Sequence, residues 1–219
     1  MGNRLVLIAG VIMLPLIYGG FMTVYTTWFQ KQSRERRPLF CAIPECLVIL
    51  SAEAAFLGIW RARTVDPISV MMFWLLFVML AAMTVFCVID YREQVVPNCF
   101  LMILLLVFAL IIGVAGLKHI DVVLAMVPSI VLGFLFCLLS FGMGYVLSHR
   151  RMGAGDVKLT LVMGLYLTGE YVVGAVFYGC VAAALFSVIQ LARKKLSRND
   201  SIPFVPFLFV GLVLRYLAG

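Results

Sequence analysis

The chain has 219 residues, of which 64 % are hydrophobic and only 12 % charged, with a formal net charge of +7. Soluble domains carry about 45–50 % apolar residues, so this composition excludes a soluble globular domain, and the long uncharged runs assign the chain to the polytopic membrane proteins. The positive charge is read below as a topology signal and a lipid-headgroup contact rather than as a nucleic-acid surface.

Spans of a bilayer need about 17–25 apolar residues each. Eight runs are candidates: residues 5–28, 42–60, 69–89, 99–117, 122–148, 157–168, 171–192 and 203–217. The first has only Arg4 ahead of it, is longer than a signal-peptide core and lacks a small-residue cleavage site, so it is read as a retained helix. Its Gly19-Gly20 pair, like Gly142-x-Gly144 in the fifth run, points to close helix packing or a local kink rather than a phosphate loop, because no Lys-Ser/Thr follows. Glu45 and Glu53 lie in the second run, where a role facing the bundle is expected. The sixth run is only about a dozen residues long and follows Asp156 directly, which predicts a short or re-entrant helix. The expected fold is therefore an all-α transmembrane bundle of about eight spans.

The basic residues orient it. With eight spans and the N-terminus outside, Lys31, Arg34, Arg36, Arg37, Arg92, Arg150, Arg151, Lys158, Arg193, Lys194, Lys195 and Arg198 fall inside, against Arg4, Arg61, Arg63, Lys118 and Arg215 outside. That is the asymmetry of the positive-inside rule, and it puts Asp90 and Asp156 on the same, cytoplasmic side. Cysteine usage adds little: Cys87, Cys99, Cys137 and Cys180 lie in or at the ends of apolar runs as small hydrophobes. Cys41 and Cys46 form one C-x4-C pair where zinc wants four ligands, so no metal site is expected.

Asp90 and Asp156 carry the chemistry. A carboxylate at membrane depth costs at least about 2.5 kcal/mol at a helix centre, so each is a functional candidate. Two that share a site hold one proton between them, which suits one to activate water and the other to polarise a carbonyl. Around Asp156 the segment Gly153-Ala154-Gly155-Asp156 offers glycines that permit positive φ and close backbone approach. The plainer reading is a Gly-rich turn with Asp156 as the N-cap of the sixth helix. Asp90 through Asn98 reads equally as an interhelical turn, with Pro97 opening the next helix.

Three segments together resemble the type IV prepilin peptidase family, the GxGD aspartyl proteases of pilus and type II secretion systems. They are Asp90 with Arg92 and Val96-Pro97-Asn98; Met152-Gly153-Ala154-Gly155-Asp156-Val157-Lys158-Leu159; and Ile202-Pro203-Phe204-Val205-Pro206-Phe207-Leu208, with Val205 where the family pattern has Gly. The resemblance implies a membrane aspartyl endopeptidase that removes the short basic leader from prepilin or pseudopilin precursors at the cytoplasmic face of a bacterial-type inner membrane. By the same resemblance Asp90 and Asp156 are catalytic, Gly153 and Gly155 shape the site, and no metal or organic cofactor takes part. Lys158 belongs to the motif as a site-shaping residue, or else snorkels to headgroups. Expected partners are the precursor proteins and membrane lipid, with no nucleic acid.

On this reading residues 1–67 are an N-terminal two-helix region with a reduced cytoplasmic loop, and residues 68–219 the catalytic membrane core. Larger members carry a cytoplasmic insertion with two zinc-binding Cys pairs and an N-methyltransferase activity. Here the loop over residues 29–41 is short, so an unmethylated product is expected. Glu93 and Glu35 are acidic candidates to meet the basic leader, although a solvated loop residue is the simpler reading of each. The rival classes are a proton- or ion-coupled transporter, which should show an internal repeat that is not found here, and a non-catalytic assembly subunit.

Overall fold

A backbone in hydrocarbon must satisfy its own polar groups, so apolar runs of this length fold as helices. The computed structural model describes residues 2–28, 42–62, 67–148, 153–193 and 202–218, and among these every regular element is helical. The helices are α1 (Gly2–Trp28), α2 (Ala42–Ala62), α3 (Pro67–Glu93), α4 (Asn98–Lys118), α5 (Ile120–Leu147), α6 (Ala154–Ala192) and α7 (Val205–Ala218). Four of them, α3 to α6, are long and apolar enough to cross a membrane. The protein is a multi-pass helical membrane protein.

Helix α3 is the centre of the bundle. Of its most apolar stretch 78 % is buried, against 17 % in α4, whose outward leucines are left for lipid. Its first half packs Phe73 and Phe77 into an aromatic cluster with Phe56 and Trp60 of α2, Phe56 and Phe77 meeting edge-on at 5.4 Å. Its second half ends in Asp90, 4 % exposed. The chain then leaves the helix through Gln94, at φ 53, whose N–H closes on the Asp90 carbonyl at 2.9 Å.

Helix α6 is interrupted. Thr168 adopts φ 59 and ψ 177, a region that is essentially glycine's and costs about 1–3 kcal/mol. The contacts on either side show that the chain turns back there. Before it, Lys158 meets Asn98 and the Tyr166 hydroxyl donates to the Leu104 carbonyl at 2.7 Å, so this arm runs alongside α4. Beyond it, Tyr171 meets Tyr216 edge-on and Gly174 faces Arg215, whereas Gly179 faces Phe207 and Leu208, so the second arm returns antiparallel to α7. The sequence places the same break between residues 168 and 171. At 1.5 Å per residue the first arm is about 21 Å long, short of the roughly 30 Å hydrocarbon core, as the short sixth run predicts.

Small residues hold the turn against α5. A Cβ on Gly164 would lie 2.6 Å from the Gly133 carbonyl oxygen, and one on Gly133 would lie 2.8 Å from the Thr168 carbonyl carbon, so the backbones touch. The Gly169 N–H, freed by the turn, donates to Ser129 Oγ at 3.3 Å. Further along α5 a π-helical turn spans Leu138–Gly142, where the Gly142-x-Gly144 pair predicts a kink. It turns buried Phe141 onto Phe204, 5.8 Å between ring centroids. The Gly19-Gly20 pair does not behave as expected. Among the described residues nothing lies within 4 Å of a Cβ built on either, so their lack of a side chain closes no helix contact there.

Candidate active site

The three motif segments, far apart in sequence, meet at one end of the bundle. Asp90 arrives from the last turn of α3 and Asp156 from the first turn of α6, close enough that Asp156 feels the charge of Asp90. The segment before α7 supplies the third side. Within Pro203-Phe204-Val205-Pro206 the two prolines have no N–H, so Phe204 and Val205 are its only backbone donors. Val205 uses its own on the Asp90 carboxylate, N–H to Oδ2 at 3.0 Å. Such N–H groups are orphan donors at a helix N-terminus, a natural seat for an anion. Asp90 therefore caps α7 across the bundle, and its carboxylate is held in one orientation.

Asp156 does not cap its own helix. The N-cap residue of α6 is Gly153, with no side-chain capping bond, and its carbonyl accepts the Asp156 N–H at 3.1 Å. The expected Asp N-cap is thus replaced by a partly exposed carboxylate one turn inside the helix. The hydroxyl of buried Thr160 braces that turn through the Asp156 carbonyl at 3.0 Å.

The glycines beside Asp156 stand at points of close approach rather than at positive φ. Gly153 sits at φ −62 and ψ 126, ordinary extended backbone that needs no glycine. A Cβ there would come 3.0 Å from Asp156 Oδ2. On Gly155 it would come 3.0 Å from the Val96 Cβ, so this glycine lets the first turn of α6 lie against the loop that follows Asp90. Lys158 fastens the same two pieces: its Nζ donates to Asn98 Oδ1 at 3.1 Å. Lys158 makes this contact from an exposed rim.

Some contacts are not legible in the sequence. Arg92 forms an ion pair with Glu45 of α2, and the Tyr25 hydroxyl of α1 donates to Glu93. An acid alone in an apolar run announces that it needs a partner but not which one. Glu53 is half-buried on α2. Val205, which departs from the family pattern, is fully buried. No cluster of three or more metal-ligating side chains occurs among the described residues, and Cys41 and Glu35 lie outside them.

Residues 75–188, more than half of the chain, match the model of the type IV leader peptidase family. Over 142 residues, 65 % of the chain, it is 25 % identical to the prepilin leader peptidase/N-methyltransferase of Bacillus subtilis (strain 168), and the match covers 54 % of that relative's length. No solved structure matches the chain. Two of the three convergent segments fall within the matched residues and the third packs directly onto them, and on this match the chain belongs to the type IV leader peptidase family.

Proposed function

We propose that the protein is an aspartyl endopeptidase of a bacterial-type inner membrane, removing the short basic leader from prepilin or pseudopilin precursors at the cytoplasmic face. The observation that carries this reading is the convergence of Asp90 and Asp156 from two helices at one end of the bundle, where Gly155 lies against Val96, Lys158 bonds to Asn98, and the Asp90 carboxylate accepts the Val205 N–H. A dyad that shares one proton can do both halves of peptide hydrolysis. The ionised carboxylate takes a proton from water as its oxygen attacks the scissile carbonyl, and the protonated one donates to the carbonyl oxygen. As the tetrahedral intermediate collapses, the carboxyl that took the water's proton passes it to the scissile nitrogen, and the other carboxylate takes a proton back from an intermediate hydroxyl. The C–N bond breaks to release the leader's new carboxyl terminus and the mature amine. No metal or organic cofactor enters this scheme.

Eight spans with the N-terminus outside follow if both arms of α6 cross and if the shorter apolar helices in α1, α2 and α7 do too. The basic leader then stays in the cytoplasm, with the precursor's apolar helix in the bilayer and its scissile bond at the depth of the dyad. Residues 68–219 form the catalytic core in this reading and residues 1–67 a two-helix region packed on it. The short loop over residues 29–41 leaves no scaffold for a methyl donor, so the product keeps an unmethylated N-terminus.

Co-expression with candidate prepilins tests the reading. Leader removal is expected, with an unmethylated N-terminus by mass spectrometry when S-adenosylmethionine is supplied. Reporters fused after Gln94 and Arg151 should report the cytoplasm and those after Lys118 and Glu170 the outside. Precursors left uncut, or a cytoplasmic signal after Lys118, would overturn the corresponding part.

A further inference from the structure

The last turn of α3 is held in a way that the matched family region does not account for. The region spans residues 75–188, yet both side chains that grip this turn lie before it, on α1 and α2. Arg92, two residues beyond Asp90, is paired with Glu45, and the two side chains are 13 % and 7 % exposed. Glu93, the next residue, accepts the hydroxyl of buried Tyr25, whose ring also lies 6.3 Å from that of Phe100 at the start of α4. Successive helical residues point about 100° apart, so the turn is gripped on two sides by two different helices.

The position matters because helix ends fray and their final carbonyls lack intrahelical partners. Immediately after Glu93 the chain leaves the helix at Gln94, in the left-handed region, and its N–H bonds to the Asp90 carbonyl. Asp90 therefore sits in a terminal turn, and the geometry of a dyad is sensitive to displacements of about 1 Å. An ion pair removed from water is strongly directional, and loss of one partner leaves the other charge buried and uncompensated. Glu45 and Arg92 form such a largely buried pair, and Arg92 reaches Asp90 through two residues of helix.

We propose that Glu45 is a positioning residue for the peptidase: through Arg92 it fixes the last turn of α3, and so the Asp90 carboxylate relative to Asp156, with Tyr25 acting in the same way through Glu93. This inference rests on the aspartyl-peptidase reading. The N-terminal helix pair then serves the reaction as a clamp on one catalytic residue.

Purified Glu45→Gln, which keeps the side chain's shape and removes its charge, tests this against a prepilin substrate. Its kcat should fall about ten- to a hundredfold, the cost of a small misplacement, with KM changed less than about twofold and Glu45→Asp recovering part of the loss. Glu45→Gln should add nothing to Arg92→Gln, since contacting residues that act together are non-additive. Tyr25→Phe, a milder change, should lower kcat by a smaller factor. Hydrogen exchange read by mass spectrometry should quicken over residues 88–96 in Glu45→Gln and stay unchanged over residues 176–190. An unchanged kcat, a loss explained wholly by less folded protein, or full additivity with Arg92→Gln would overturn the inference. If the wild type cuts no prepilin, the peptidase reading fails, and unchanged exchange over residues 88–96 would then overturn the clamp on its own.

Discussion

The two ends of the bundle are built from different chemistry. At the end that holds Asp90 and Asp156, the elements are joined by directed polar contacts: Val205 N–H to Asp90, Lys158 to Asn98, Arg92 to Glu45 and Tyr25 to Glu93. Towards the other end close packing predominates, with Gly133 against Gly164, Gly58 against the Tyr216 carbonyl, and Phe56, Trp60, Phe73 and Phe77 clustered, and the polar contacts there, such as Tyr166 to the Leu104 carbonyl and Gly169 N–H to Ser129, involve no charged side chain. Helix association in a bilayer draws on packing and on interhelical hydrogen bonds. In the proposed reading the first builds the scaffold and the second holds the two carboxylates in register. Changes at the first end should therefore cost activity, and changes at the other should cost stability.

The largest effect should come from the carboxylates. Asp90→Asn and Asp156→Asn are each expected to lower the cleavage rate by about a thousandfold or more, the scale seen when one member of a catalytic unit is removed, while the protein still inserts and accumulates. Next comes Gly155→Ala. Its methyl would press on Val96 and push the first turn of α6 away from the Asp90 loop, so cleavage should fall about ten- to a hundredfold with little change in thermal midpoint. If Gly155→Ala lowers only stability, the division between the two ends is wrong.

Gly164→Ala should do the reverse. With its Cβ 2.6 Å from the Gly133 carbonyl oxygen, the helices must part, at a cost of about 1–3 kcal/mol. Thermal unfolding in detergent should show a midpoint lower by several degrees, while the folded fraction keeps its specific activity. The smallest effect should be that of Gly19→Ala, whose methyl meets nothing among the described residues. Relief of helical glycine should make it neutral or stabilising by about 0.5–1 kcal/mol, and a destabilised variant would mean that this face is covered.

Much of this organisation is legible in the sequence because a bilayer makes hydrophobic length informative. All eight apolar runs correspond to helical segments, and the polar break at Thr168-Gly169-Glu170 marks the turn inside α6. The convergence of the three motifs is also readable, since each carries its own polar signature. Other features depend on which faces meet. The π-helical turn at Leu138–Gly142 has no periodic signal, and the pairing of Glu45 with Arg92 joins residues whose sequence context names no partner. The glycines around Asp156 point correctly to a special backbone position but not to its reason. Positive φ and close approach leave the same trace in sequence, and here only close approach is found.

The central claim is that Asp90 and Asp156 act as one unit, and Asn is the substitution that isolates it. An amide at residue 90 keeps an oxygen to accept the Val205 N–H, so the cap on α7 survives while the acid–base function is lost. The most direct measurement compares cleavage of a prepilin by purified wild type, Asp90→Asn, Asp156→Asn and the double variant, with folding checked by thermal unfolding. Residual activity is expected to be equally low in both single variants and in the double, because members of a catalytic unit are not additive. Substantial cleavage by either single variant, or losses that multiply in the double, would contradict the dyad.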